Sequence, residues 1–246
     1  MNSPRNLSAG ARLRAFALLS LAATAACSAD YGTGTRSRVT TVNVSLPRLV
    51  IEVGEIIQAT SVQLDQYGTP VTTGSVTWQS SAPEVAGVGI TSGQVLAISA
   101  GTARISAKVG GKVGQQVITV TKSPIVINEI KPNGDATTGW VELFNPSAEE
   151  VDISGFQITN HDVLHPFVVP ELAKIPAGGY RVIDETLIPG GLTGNDAVHL
   201  FSKFGVQIDQ FAWTVNPAIS LGRCPNGTGN FLLNAAVTRG GVNNCG

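Results

Sequence analysis

Alternation of apolar and polar residues at period two is the feature that most constrains the fold of this chain. The alternating runs are short, and turn sequences such as YGTP, SAPE and VGG separate them. Such alternation places apolar side chains on one face of a strand. With 28 Gly, 13 Pro and only 13% charged residues, the composition also favours strands joined by turns over helical bundles. In the first half the runs are TVNVS (41–45), IIQATSVQLD (56–65), SVTWQ (75–79), VLAIS (95–99), TARISAKV (102–109) and QQVITV (115–120).

The first residues predict an exported protein. Arg5, Arg12 and Arg14 precede any acid, and the apolar run AFALLSLAATAA follows over residues 15–26. A basic start, a short apolar stretch and small residues at its end are typical of a signal peptide, here 1–26, too short to span a bilayer permanently. Three of the 16 basic residues lie in this leader, so 13 basic and 17 acidic residues remain, a net charge of about −4.

Cysteine usage suggests both a lipid anchor and a disulfide. Cys27 follows Thr24-Ala25-Ala26 and resembles the acylated cysteine of bacterial lipoproteins, although ordinary cleavage nearby is the alternative. The chain has three cysteines, so lipid on Cys27 leaves Cys224 and Cys245 to pair in an oxidising compartment. We therefore predict a tether over 27–38 and attachment of the protein to the outer membrane or cell surface through Cys27.

The first alternating unit carries family motifs as well as a strand pattern. Its segments WQSS, VAGV, GQV and GTARI, with an earlier Val53-Gly54, resemble the group-2 bacterial immunoglobulin-like domain over 39–122. The resemblance implies a β-sandwich that serves as a repeat or spacer on bacterial surface proteins, some of them adhesins. We expect Trp78 to fill the space between the sheets. The matching residues are Trp78, Ser80, Ser81, Val85, Ala86, Val88, Gly93, Val95, Gly101, Thr102, Ala103 and Ile105.

The second unit begins after a short hinge at Ser123-Pro124. Its motifs lie at 127–129, 140–146, 151–155, 175–180, 205–209, 222–223 and 238–243. In this order they resemble the lamin tail domain, an immunoglobulin-type sandwich, over 125–246. Arg239 departs from the pattern, because proline is common at that position. The sequence thus predicts an all-β chain with two tandem immunoglobulin-like antiparallel β-sandwiches after the signal peptide.

Glu142, in the strand-like stretch GWVELFNPS, is the main candidate for chemistry. Glu129 lies in another predicted strand, so the two carboxylates could face each other as in a glycosidase. Such a reaction needs a cleft and one raised pKa, and a small sandwich has little volume for a cleft. We therefore expect each acid to accept hydrogen bonds from loop backbone or to pair with Lys131 or Arg223.

Other candidate sites are weaker. His161 and His165 flank a loop without a third ligand close in sequence, and the acids of NGDATTG and GNDAV lack the spacing of a calcium site, so we predict neither metal nor cofactor. Asn133-Gly134 and Asn226-Gly227 indicate turns. Without a basic run, no nucleic-acid partner is expected.

The predicted function is that of a non-catalytic surface module for adhesion or binding, whose partner is an envelope or extracellular protein or polysaccharide. The alternative is a carbohydrate-binding accessory module, with Tyr180 and Trp213 as possible ligand contacts. An envelope hydrolase is the third reading and the least favoured.

Overall fold

The structure is a computed structural model that describes residues 36–132 and 139–245. The predicted signal peptide, Cys27, most of the predicted tether and the Asn133-Gly134 turn lie outside the described residues. Within the described ranges, regular structure consists of strands and one 3₁₀ helix, Glu185–Leu187. The strands are β1 (Thr41–Ser45), β2 (Val50–Glu52), β3 (Ile56–Gln58), β4 (Thr60–Leu64), β5 (Pro70–Val71), β6 (Thr77–Ser80), β7 (Ala86–Val88), β8 (Gln94–Ala97), β9 (Gly101–Val109), β10 (Lys112–Thr121), β11 (Val126–Lys131), β12 (Trp140–Phe144), β13 (Val151–Asp152), β14 (Gln157–Thr159), β15 (Phe167–Val168), β16 (Lys174–Ile175), β17 (Tyr180–Asp184), β18 (Asp196–Phe201), β19 (Gln207–Trp213), β20 (Leu221–Cys224) and β21 (Asn230–Leu233).

The all-β prediction is confirmed. Across residues 36–132 and 139–245 we find no helical segment with the length and apolarity that a bilayer crossing requires. Three sheets, ordered β1-β4-β5, β3-β8-β7 and β2-β10-β9-β6, surround a first apolar core. Trp78 is 6% exposed and belongs to that core, as its place in an alternating strand predicts.

One predicted strand is in fact two. The run 56–65 alternates throughout, yet β3 pairs with β8 while β4 pairs with β1 and β5. The break falls at Ala59, which is buried and donates its backbone N–H to the carbonyl of Gly93. Alternation reports which face of a strand is buried, but not the sheet to which the strand belongs, so it misses this crossing.

The antiparallel prediction also needs one correction. β2 runs parallel to β10, with Val50 opposite Thr119. Between β1 and β2 lies Pro47, which has no N–H to donate to a ladder. The chain therefore leaves its antiparallel pairing with β4. It joins the edge of the sheet β2-β10-β9-β6, where β2 lies beside β10, the last strand of the first sandwich.

The second core lies between two larger sheets, β17-β12-β11-β20-β21 and β15-β14-β18-β19, with β13 and β16 forming a separate pair. Phe156, Leu143 and several isoleucines are its largest fully buried side chains. A β-bulge between Ile127 and Glu129 interrupts strict alternation in β11. As a result Ile127 and Ile130 enter the core, whereas Asn128 and Glu129 both bond to residues from the C-terminal part of the chain.

Residues 37–246 form one compact unit, in which a turn of the first sandwich contacts a turn of the second. Gly54, at φ +90°, lies against Phe204 and Val206. A Cβ at this glycine would fall 2.5 Å from Val206 Cγ2 and 2.9 Å from Phe204 Cβ. Both the backbone conformation and the close approach therefore require glycine here.

Candidate functional site

The two glutamates singled out by sequence lie side by side. Glu129 on β11 is the direct cross-strand partner of Glu142 on β12, and neither is exposed to solvent. They lie on the side of their sheet opposite the apolar core, which receives Val141 and Leu143 from β12. Residues 234–245, which we call the closing segment, supply several of their hydrogen-bond partners.

Glu129 accepts hydrogen bonds from three side chains and one backbone N–H. Its Oε1 accepts from Ser220 Oγ at 2.5 Å, Asn234 Nδ2 at 2.8 Å and Thr238 N at 3.3 Å. Its Oε2 accepts from Thr238 Oγ1 at 2.7 Å. A buried carboxylate is costly unless such donors surround it, and here they come from segments about 90 to 110 residues later in the chain.

Glu142 is held by one amide side chain and by the backbone of the closing segment. Asn128 Nδ2 donates to Oε1 at 2.8 Å, and the N–H of Gly240 donates to Oε2 at 2.5 Å. Burial raises the pKa of Glu142 to about 7, with a smaller upward contribution from the charge on Glu129, against the lowering effect of its hydrogen bonds. One member of this acid pair therefore takes up a proton near neutral pH.

A set of asparagines links the acid pair to the closing segment. Asn128 Nδ2 also donates to Asn226 Oδ1 at 3.1 Å, and Asn128 Oδ1 accepts from Gly227 N at 2.9 Å. Asn243, 6% exposed, donates from Nδ2 to the carbonyls of Asn128 and Arg223, both at 3.0 Å. Buried polar groups that satisfy one another in this way give a segment a single position.

The disulfide prediction is confirmed in the structure, which joins Cys224 at the end of β20 to Cys245. The bond closes a loop with a sequence separation of 21 and covalently fixes the end of the closing segment.

Arg239, at the position where proline is common, forms an ion pair with Asp184 at 2.5 Å. The turn at this position closes through a hydrogen bond of 2.9 Å from the N–H of Gly241 to the carbonyl of Thr238.

For the two acids, the expected hydrogen bonds from loop backbone are present, but the expected pairing with Arg223 is wrong. Backbone N–H groups do bond to both carboxylates, but Arg223 pairs with Asp209, not with either glutamate. Arg223 Nη2 lies 2.7 and 2.9 Å from the two oxygens of Asp209, and its guanidinium stacks over Phe231 at 4.7 Å. The arginine therefore braces β19 against β20 and β21.

The two aromatic candidates for ligand contact have packing partners. Trp213 is 6% exposed, belongs to the second core and donates from Nε1 to the carbonyl of Thr193 at 2.8 Å. Tyr180 is half-buried, stacks on Phe144 with ring centroids 4.8 Å apart, and accepts a hydrogen bond from Asn226. Ligand contact by Tyr180 and Trp213 stays a prediction, and their packing favours a structural role for both.

The histidine loop carries two separate histidine–aspartate pairs. His161 Nδ1 lies 2.7 Å from Asp196, and His165 Nδ1 lies 2.7 Å from Asp162. Asp196 also accepts backbone hydrogen bonds from His161, Thr193 and Ala197, so it organises the loop. In the part of the chain that the structure describes, no three acids, histidines or cysteines come together as a metal would require.

Sequence reasoning found the two acids but missed most of what surrounds them. Four small polar residues in glycine-rich sequence contribute to these surroundings: the buried Ser220, Asn234 and Asn243 and the half-buried Thr238. Nothing in their local pattern predicts these positions. Within the described ranges, both carboxylates are fully buried. The arrangement is suited to fastening the closing segment, because every carboxylate oxygen already accepts a hydrogen bond from the protein.

The fold places the chain in the class of proteins built from immunoglobulin-type β-sandwiches in tandem, and the buried acid pair belongs to the second sandwich. Comparison with protein families specifies the two halves: residues 74–122 match the bacterial Ig-like domain and residues 119–215 match the lamin tail domain. The chain therefore contains a bacterial Ig-like domain followed by a lamin tail domain. The bacterial Ig-like and lamin tail resemblances inferred from motifs are confirmed, whereas assignment of the first domain to group 2 stays a prediction. The second match ends before β20, so the closing segment lies beyond it.

No curated protein matches the chain at a significant level. Among the solved structures similar to it are domains 4 and 5 of the S-layer protein SbsC, at 19% identity, covering 73% of this chain and 98% of that one, with a TM-score of 0.34. The Yersinia pseudotuberculosis adhesin InvE is similar at 16% identity, over 76% of this chain and 68% of that one, with a TM-score of 0.30. The Escherichia coli adhesin FdeC shares 13% identity over 73% of this chain and 65% of that one, with a TM-score of 0.33.

Proposed function

We propose that this chain is an exported, non-catalytic module of a bacterial cell envelope, attached by lipid on Cys27 and extended by a tether over 27–38. Its two domains, 39–122 and 125–246, act in adhesion, in binding or as structural spacers. The family composition supports this proposal, since both halves are immunoglobulin-type sandwiches.

The observation that carries the non-catalytic assignment is the state of Glu129 and Glu142. A glycosidase pair needs one carboxyl free to donate a proton and another free to attack or to activate water. Here both side chains are fully buried, and the closing segment bonds to each of them. We infer that the acids maintain architecture, and that the raised pKa of Glu142 is a consequence of burial, with no catalytic purpose.

Localisation tests the envelope assignment. In cells that express the full chain, we expect the protein in the membrane fraction and its sandwiches accessible to antibody on intact cells. Cys27→Ser should release it, and an inhibitor of lipoprotein signal peptidase should shift the wild-type band but not that of Cys27→Ser. A cytoplasmic protein, or an identical distribution of both forms, would contradict the proposal.

The non-catalytic assignment has its own test. Purified protein incubated with envelope polysaccharides should release no reducing ends above a heat-denatured control. Release that is lost in Glu129→Gln would show that the acid pair is catalytic. The carbohydrate-binding alternative through Tyr180 and Trp213 is less favoured, because these rings do not form a flat exposed row.

A further inference from the structure

The outward face of the sheet β2-β10-β9-β6 in the first sandwich carries a concentration of positive charge that the sequence does not show as a run. On this face β9 carries Arg104 and Lys108, and neither β9 nor β10 contains a carboxylate. Arg104 and Lys108 lie on the exposed side of β9, because Ala103, Ile105 and Ala107 point into the core. Side chains on one face of a strand are two residues apart, so Arg104 and Lys108, four residues apart, lie in one row along β9.

The neighbours of these cations are neutral and able to form hydrogen bonds. Across the sheet, Lys108 lies opposite Val113 and Thr77, and Ser106 lies opposite Gln115 and Gln79. The carboxylate that this sheet does contain, Glu52 on β2, is opposite Thr121 at the far end from Lys108. The cations therefore lack a carboxylate opposite them on the neighbouring strands.

Two concavities flank the hairpin that joins β9 to β10. One, of about 440 Å³, is lined by Lys108, Thr77, Gln79 and Ser106, with Ile90, Val113 and the largely buried Trp78 as its apolar part. The other, of about 460 Å³, is lined by Arg38, Lys112, Thr40 and Thr73 around the turn at Gly110. It lies on the opposite side of the hairpin from Arg104 and Lys108, because Lys112 is paired with the buried Val109, and it is not part of the outward face. Neither has a carboxylate in its lining, so both would favour an anionic group.

We propose that this face, with Arg104 and Lys108, binds an anionic glycan, in which carboxylate or phosphate groups alternate with hydroxyls. Charge complementarity supplies the attraction, and the threonine, serine and glutamine side chains supply partners for sugar hydroxyls. The proposal rests on the surface function above and identifies the class of its partner.

Other polyanions fit the face less well. Single-stranded nucleic acid is held largely by stacking on aromatic rings, and Trp78, the tryptophan of this sheet, is buried beneath the face. Stable protein interfaces use aromatic anchors at their centre, which this face also lacks. Without rings on which to stack, binding should depend mainly on charge and be strongly sensitive to salt.

The test uses the full exported chain and immobilised polygalacturonate as a carboxylated probe, with a phosphorylated polysaccharide in a second arm and neutral dextran as reference. We expect saturable binding to at least one charged glycan, none to dextran, and a loss of about tenfold or more in affinity between about 0.05 and 0.3 M salt. Arg104→Glu combined with Lys108→Glu should weaken binding by about tenfold or more.

The matched control is Lys174→Glu combined with Lys203→Glu, which makes the same change in net charge at exposed positions of the second sandwich. It should keep wild-type affinity, and thermal unfolding should show that both double variants fold. Equal losses in both, or binding of single-stranded DNA as tight as that of the glycans, would overturn the proposal. If no charged glycan binds although the protein is displayed at the surface, this inference fails and the proposed function stands; a cytoplasmic location would remove the proposed function itself.

Discussion

Asn128→Asp replaces one nitrogen by oxygen and should be among the most damaging single changes in the second sandwich. Asn128 Nδ2 donates to Glu142 Oε1 at 2.8 Å and to Asn226 Oδ1 at 3.1 Å. The amide cannot flip, because its Oδ1 already accepts from the N–H of Gly227. After the substitution three acceptors face one another, two of them on the fully buried residues 128 and Glu142.

The magnitude follows from the bonds lost. A hydrogen bond to a charged group contributes about 1.5–3 kcal/mol and a neutral one about 0.5–1.5 kcal/mol. An additional carboxylate beside Glu129 and Glu142 must also be protonated or remain buried without a partner. We therefore expect a decrease of about 3–5 kcal/mol in the free energy of unfolding at pH 8, which lowers Tm by roughly 10 °C.

Urea unfolding at pH 8, followed by tryptophan fluorescence, measures this decrease. Asn230→Asp, the same change at an exposed position of the same sheet, is the control and should cost less than about 0.5 kcal/mol. Acidification should partly restore Asn128→Asp, since protonation removes the added charge. A stability within about 1 kcal/mol of wild type at pH 8 would show that solvent reaches the acid pair, and would refute the reasoning.

Further predictions concern the acid pair, the disulfide and the turn between the cores. Burial raises the pKa of Glu142 from 4.5 to about 7, so protonation of this carboxyl favours the folded state. The contribution of Glu142 to the free energy of unfolding should therefore be complete below pH 4.5. The free energy of unfolding should fall by about 3 kcal/mol as the pH rises through 7. Denaturant titrations at several pH values check this, and a flat profile between pH 5 and 8 would contradict it. Replacing Cys224 and Cys245 by serine should cost about 3 kcal/mol by loop closure, and thiol labelling of the native wild type without reductant should find neither cysteine. Gly54→Val should lower Tm, since its side chain meets Val206, whereas Gly68→Val, in a turn with open space around it, should cost less.

Much of the fold follows from local pattern. The runs at 41–45 and 102–109 form strands within one residue of the predicted bounds, because alternation and flanking turn residues agree there. Alternation fails where the chain changes sheet at Ala59 and where a bulge lets Asn128 and Glu129 face the same side of β11. In both cases the determining contact is far away in sequence.

The candidate site, too, was predictable from the sequence only in part. Glu129 and Glu142 are visible in sequence because acids are rare in apolar strands, and their opposition across neighbouring strands follows from the pairing. The buried Asn234 and the half-buried Thr238 are not visible, since a polar loop residue that bonds to a buried acid has the same sequence signature as an exposed one. The basic face likewise appears only when β9 is paired, because its cations are spaced along the strand.

Hydrogen exchange of the backbone amides in the closing segment tests the central claim most directly. If the acid pair fastens this segment, the N–H groups of Thr238 and Gly240 exchange slowly in the native protein, and Glu142→Ala accelerates exchange at Gly240 by about tenfold or more. Exchange of both amides at the rate of an unstructured chain in the wild type would contradict the claim, because the carboxylates would then be open to solvent.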